Sequence, residues 1–303
     1  MTYSKIPSVV ILGHLRFTKI INLLLILTEI SNLKIYISID GPKNLGEAEI
    51  QLAGIESIHN FIAEKKVENV FLQKSDVNRG VSAGVIYGID WFFKNENFGA
   101  ILEEDILIDN SFLDHIRMNY KYLIEDSKCL FLSASQFFEE ILPTTERTKS
   151  SYPLIWGWAT TDEKWKVMKS LITLEKINRG FRYGLISRFY WAAGRFRVKN
   201  FLVDSWAIPL ADAMHHLEYF CLLPQWNLST NIGDDEYAIH TRKIPTNLKV
   251  SISKREILDY KEIHSMKVDK VDKMIEKHVY KIRKRHLLAY VNAIFDKFVD
   301  NYF

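Results

Sequence analysis

Gly99-Ala-Ile-Leu-Glu-Glu-Asp105 is the stretch on which the fold turns, because a short apolar strand runs without a break into three carboxylates. Three adjacent acids at a buried strand end repel one another and are costly to desolvate unless a cation or a set of donors neutralises them. A hard divalent ion such as Mg²⁺ meets that need with oxygen ligands, usually one or two carboxylates completed by substrate phosphates. Spacing alone leaves a second reading open, in which the trio is a solvated loop and Asp109 or Asn110 caps the next helix.

Upstream, strands alternate with helices. Ser8-Val-Val-Ile-Leu12 is a β-branched run ending in Gly13, and Thr18 opens an apolar segment with helical spacing through Ile30. Lys34 to Asp40 reads as a second strand closed by Gly41-Pro42, followed by a helix over Glu47 to Lys65. Val67 to Gln73 supplies a third strand, and Asn78-Arg-Gly-Val-Ser82 opens a helix that runs through Phe93 to the strand before the acidic trio. This order predicts right-handed crossovers, a mainly parallel sheet and ligands bound beyond the carboxyl ends of the strands. Arg16, Asp40, Asn78 and the trio each follow a predicted strand, although any α/β protein places polar residues in such loops.

Downstream the pattern is less regular. A helix is expected from Ser111 to Glu125, a strand from Cys129 to Ala134, and Trp-rich loops after it. Residues 165 to 200 read as helical and basic, and Tyr260 to Phe303 as one or two amphipathic helices. From Lys176 to Val203 the chain carries Arg179, Arg182, Arg188, Arg195 and Arg197 among Phe181, Tyr183, Phe189, Tyr190 and Trp191, with no acid. Such a stretch suits anionic lipid headgroups or a phosphorylated acceptor, or else a solvated helix with buried aromatics. Lys281-Ile-Arg-Lys-Arg285 is a second basic run.

Bulk properties bound these readings. The 303 residues are 48% hydrophobic and 25% charged, enough for one large α/β unit with additions, and the formal charge of +3 argues for no nucleic-acid partner. Cys129 and Cys221 sit among apolar neighbours without a CxxC spacing, so neither a disulfide framework nor a zinc site is expected and a reducing cytoplasm fits. His14, Arg16 and Lys19 interrupt the apolar N-terminal residues, so no signal peptide is read there. No uninterrupted apolar run reaches the roughly 18 residues that a spanning helix needs, which predicts a soluble or peripheral protein.

The segment Ala100 to Leu113 resembles the DxD-equivalent segment of GT-A glycosyltransferases, nearest to the bacterial family 2-like enzymes and the N-acetylglucosaminyltransferase I group. The resemblance implies a Rossmann-like GT-A catalytic domain over residues 1–250, with a nucleotide half to about residue 110, an acceptor half to 250, and a helical extension over 251–303. It implies a divalent metal, Mn²⁺ or Mg²⁺, on Asp105. Glu104, where the family usually has Asp, takes a ribose or metal-water role, and Glu103 supports both. Val9 to Arg16, Ile39-Asp40-Gly41 and Asn78-Arg79-Gly80-Val81 are similar, in order, to the family's nucleotide loops. Physically, Arg16 can pair with phosphate, Asp40 can accept from a base N–H, and Gly80 before a helix offers backbone N–H groups to an anion. Each residue also has a structural reading, as surface charge, turn former and helix entry respectively.

Trp156-Gly157-Trp158-Ala159-Thr160 resembles the segment that these enzymes place near donor sugar and acceptor, with Trp158 the favoured contact. The same tryptophans also suit a core. Val203-Asp204-Ser205-Trp206 is similar to the segment that carries the catalytic base in inverting members, while Asp204 also reads as a helix N-cap. Pro224 to Thr241 resembles a further segment whose late histidine, here His240, contacts the metal or diphosphate. The resemblance therefore implies an inverting transfer from a nucleotide-sugar, a UDP-sugar favoured, to a glycan or lipid-linked glycan in bacterial surface polysaccharide synthesis, cytoplasmic or peripheral at the inner face of the membrane. The competing expectations are a sugar-nucleotide nucleotidylyltransferase, for which Gly13-His-Leu-Arg16 is a poor signature loop, and a noncatalytic carbohydrate- or nucleotide-binding protein.

Overall fold

The computed structural model describes residues 7–138, 146–175, 177, 184–233, 252, 255–260 and 268–282. Strand β1 (Ser8–Gly13) shows why a covered sheet forms. Successive side chains of a strand point to opposite faces, so Val9 and Ile11 enter one hydrophobic core while Val10 and Leu12 enter the other. A strand that is apolar on both faces requires helices on both. Helices α1 (Phe17–Leu27), α2 (Leu45–Lys65) and α4 (Ser111–Glu125) supply the first cover. The second comes from α3 (Gly80–Asn95), α5 (Asp162–Thr173), α6 (Gly184–Lys199), α7 (Ala207–Leu217) and α8 (Val268–His278).

Strand β1 pairs in parallel with β2 (Ile35–Ile39) on one side and with β4 (Phe98–Glu103) on the other, and β3 (Val70–Lys74) continues beyond β2. The chain thus winds outward from β1 through β2 and β3, then returns to place β4 at β1's free edge. That return opens a crevice at the carboxyl ends of β1 and β4, where α/β proteins bind ligands.

The remaining strands, β6 (Cys129–Ser133), β7 (Thr148–Ser150), β8 (Trp158–Thr161) and β9 (Phe220–Leu223), extend the same sheet in the order β3-β2-β1-β4-β8-β6-β9-β7. Strand β8 runs antiparallel to both β4 and β6, and β7 is antiparallel to β9, so the sheet is mixed but mostly parallel. The expectation of an α/β fold with a mainly parallel sheet is met. The expected Trp-rich loops after β6 are corrected, because Trp158 opens β8 in the middle of the sheet. Its four residues are too few to display a period of two.

Two short strands stand apart as a ribbon, β5 (Ile106–Ile108) against β10 (Ser229–Asn231). Strand β5 begins directly after the acidic trio, so this ribbon anchors its far end. Just before α4, the Asp109 carboxylate accepts the Ser111 N–H at 2.9 Å.

Candidate functional site

At the carboxyl ends of β1, β2 and β4 lies a cavity of about 390 Å³. Its walls are the loop after β1, Asp40 after β2, the entry to α3, the acidic trio at the end of β4, and Asp204 before α7. Strand ends that sequence places far apart are brought together here by the parallel winding alone.

The three acids of the trio do different things. The Glu104 N–H donates to the Leu12 carbonyl at 2.8 Å, which extends the β1–β4 pairing by one residue. Its side chain, only 6% exposed, then accepts the His14 N–H at 2.7 Å, the Arg16 N–H at 3.3 Å and the Arg16 guanidinium at 3.3 Å. Burial pushes the Glu104 carboxyl up, against the opposing pull of these donors. Glu104 therefore shapes the β1 loop.

Glu103 faces the cavity with its carboxyl pushed up to about 8, first by burial and then by the charges of Asp105 and Glu104, with Arg16 acting in the other direction. Asp105 is half-buried, one oxygen lying 3.4 Å from the Arg16 guanidinium. Its backbone is pinned by the Ile232 N–H at 2.8 Å, and Lys19 holds the Ile232 carbonyl at 2.6 Å. The next residue must be Gly233, since a Cβ there would run into the Asp105 carboxylate. Among the described residues no group of three His, Cys, Asp or Glu side chains converges as a ready-made ligand set. The arrangement fits a cation held by one or two carboxylates and completed by phosphate oxygens.

Across the cavity the polar groups are preorganised by backbone. The Asp40 carboxylate accepts the Arg79 N–H at 3.1 Å, and the Asn78 side-chain amide donates to the Gly41 carbonyl at 2.7 Å and to Asp40 at 3.3 Å. Gln51, fully buried on α2, donates to the carbonyls of both His14 (3.1 Å) and Asp40 (2.8 Å), locking the loops after β1 and β2 together. Helix α2 is fixed at its start by a reciprocal cap, Asn44 accepting the Glu47 N–H at 3.0 Å and Glu47 accepting the Lys43 N–H at 2.7 Å. The Arg79 guanidinium lies over the Tyr87 ring, 4.0 Å from its centroid, and does not line the cavity.

Asp204 reaches the cavity wall through an unexpected contact. Its two oxygens accept the Val81 N–H at 2.6 Å and the Ser82 N–H at 3.0 Å, so it caps α3 from a distant part of the chain. Helix α3 has no acid in its first turn and no side-chain cap of its own, and a carboxylate at that end satisfies orphan N–H groups and the helix dipole. Gly80 makes the approach possible with φ +78°, where any side chain would meet the Asp204 carboxylate. The N-cap expected of Asp204 on its own helix is corrected to a cap on α3, while Ser205 accepts the Ile208 N–H of α7 at 3.3 Å.

For Trp158 the core reading holds. Trp158 is 1% exposed, its ring enclosed by Phe131, Trp206 and Trp165 at centroid distances of 5.4, 5.8 and 6.1 Å, so neither face is open to a sugar. Trp156 is half-buried against Phe137, and Gly157, at φ +77°, accepts the Ala134 N–H through its carbonyl. None of the three lines the cavity. His240 lies outside the described residues.

Arg16, Asp40, Asn78, Gly80, Glu103, Glu104, Asp105 and Asp204 are thus gathered around one cavity. Sequence reasoning missed His14 and Lys43, which line it, and Gln51, which braces it. His14 and Lys43 carry a positional signal, since each follows a predicted strand by a residue or a few. Gln51 carries another, a polar residue on the buried stripe of α2 with Gly54, Ile58 and Phe61. No protein-family model matches the chain, and no curated protein matches it in sequence.

Proposed function

We propose that the protein is a glycosyltransferase of the GT-A type, binding a nucleotide-diphosphate sugar in this cavity and passing the sugar to a hydroxyl of a glycan or lipid-linked glycan. One observation carries the reading: a strand-end trio of acids, braced by Arg16, faces a backbone-fixed Asp40–Asn78 pair across the same cavity. The first group suits a diphosphate with its cation, and the second suits the N–H and hydroxyl groups of a base and ribose. A UDP-sugar is the favoured donor.

Asp105, with Glu103 beside it on the cavity wall, would hold the divalent cation, Mn²⁺ or Mg²⁺. When bound, such a cation neutralises the charge that builds on the departing diphosphate. Arg16 contributes in the same direction, because its guanidinium sits beside the carboxylates on the cavity wall and a guanidinium matches phosphate geometry. Glu104 keeps the β1 loop in the shape that presents Arg16 and His14. Asp204 is the proposed base of an inverting transfer, and to receive the acceptor proton one of its oxygens exchanges an α3 N–H for the acceptor hydroxyl. A positioned base of this kind contributes about 10² to 10⁴ in rate.

Calorimetry with UDP, GDP and CMP, each with and without Mn²⁺, tests the reading. UDP binding that Mn²⁺ tightens, and that loses this dependence in Asp105→Ala, is the expected result. Absence of nucleotide binding, or binding indifferent to the metal, overturns it. A donor screen scoring nucleotide release then identifies the sugar.

A further inference from the structure

Helix α6 is amphipathic in an inverted sense. It buries Ser187, Trp191 and Arg195 at intervals of four, and Arg195 is committed to Asp212 through a 2.6 Å ion pair. At about 100° per residue, the side of the helix opposite that stripe carries Leu185, Phe189 and Phe196, of which Leu185 is 58% exposed. Arg188, Arg197 and Lys199 flank this apolar ridge, and residues 176–203 contain no Asp or Glu.

The ridge ends in a turn that folding alone does not explain. Phe201 stands at φ +58° with its ring 96% exposed, and Leu202 follows at 62%. The Phe201 N–H donates to the Val198 carbonyl at 3.0 Å and the Leu202 N–H to that of Arg197 at 2.9 Å, the helix-ending motif whose left-handed position favours glycine. A phenylalanine there is strained, and its ring gains no contact in return from burial. Two apolar side chains held outward just after Arg197 and Lys199, at the close of an acid-free run whose next acid, Asp204, is turned to the start of α3, complement an anionic surface with an apolar interior.

We propose that the outer face of α6 and the turn after it dock on an anionic lipid surface. Phe201 and Leu202 enter the boundary between headgroups and acyl chains, and Arg188, Arg197 and Lys199 face the headgroup phosphates. Among the described residues no helix is long and apolar enough to cross a membrane, so the contact is made by a helix lying along the surface. Asp204, on the cavity wall, follows Leu202 by two residues. Docking therefore sets the cavity close to the lipid, and, resting on the transferase reading, this makes the acceptor lipid-linked.

Flotation of the full chain tests the proposal, using vesicles of phosphatidylcholine alone and of phosphatidylcholine mixed with phosphatidylglycerol, in EDTA and without nucleotide. The wild type is expected to float with the anionic vesicles only and to be released by salt. Phe201→Gly is the informative variant, because glycine suits the left-handed backbone: its melting temperature should hold or rise while its partition coefficient falls at least about tenfold. The double variant Arg188→Gln, Arg197→Gln should lose roughly fivefold for each charge removed. Wild type that floats with neither vesicle, or Phe201→Gly that partitions unchanged, overturns the proposal, and so does salt-sensitive capture by a soluble phosphorylated glycan in place of vesicles. Nucleotide calorimetry without vesicles reports on the cavity separately, so failure of one reading is not failure of the other.

Discussion

The cavity at the ends of β1, β2 and β4 and the interior between α6, α7 and α8 both bury acids beside bases, and with opposite outcomes. In the interior each acid has close donors. Glu276 accepts from the hydroxyls of Tyr152 and Ser187, both at 2.6 Å, and Asp272 accepts the Ser150 hydroxyl at 2.9 Å and the Ser151 N–H at 3.0 Å. Arg195 pairs with Asp212 and also donates to the Leu174 carbonyl at 2.6 Å. Around the cavity, by contrast, Arg16 reaches both Glu104 and Asp105 at 3.3 to 3.4 Å, while Glu103 faces the opening with its carboxyl raised. Close donors of the first kind fix helices in place, whereas at the cavity like charges are crowded on one wall open to a ligand.

The interior cluster depends most on Arg195. Arg195→Met leaves Asp212 buried without its main counter-charge and should cost about 3–5 kcal/mol in urea unfolding. Nucleotide affinity should be unchanged, and a parallel loss of affinity would mean that the interior cluster belongs to the site.

Glu103 gives an intermediate effect of opposite sign. Burial and the neighbouring charges push its native carboxyl up to about 8 from an ordinary 4.5, so the native state binds more protons than the unfolded chain between those values. Stability must then fall as pH rises through that window. Glu103→Gln should flatten this slope and recover on the order of 1–3 kcal/mol at the alkaline end, read from urea titrations across the pH range. A slope that the substitution leaves intact would remove Glu103 from the crowded set.

Asp204 stands at the border of the two regions, and its substitution has the smallest expected effect on stability. Asp204→Asn weakens the cap on α3 at a cost of about 1 kcal/mol, seen as a modest drop in melting temperature. If Asp204 is also the base, nucleotide release in the presence of acceptor should fall by a further factor of about 10² to 10⁴ with donor affinity preserved. Full turnover in the variant would restrict Asp204 to capping.

Much of the part up to about residue 110 was legible in sequence because its signals are local. β1, β2 and β4 are apolar runs with turn residues at their ends, and Arg16, Asp40, Asn78 and the trio declare themselves by following strands. The part after residue 110 was harder to read. β7, β8 and β10 have three or four residues each, too short for periodicity, and Trp158 offers the same aromatic surface to a sugar or to a core. Which of these it meets depends on Phe131, Trp165 and Trp206, and their convergence is tertiary.

By itself, the sequence determined that helices and strands alternate, that the sheet is mainly parallel, and that its carboxyl ends carry the polar residues, because propensity and side-chain period act within a few residues. Only the tertiary structure decided how those residues divide their work. Glu104 became the brace of the β1 loop, Asp204 the cap of α3 and Gln51 the lock between two loops, since each depends on a backbone N–H or carbonyl group supplied from elsewhere in the chain.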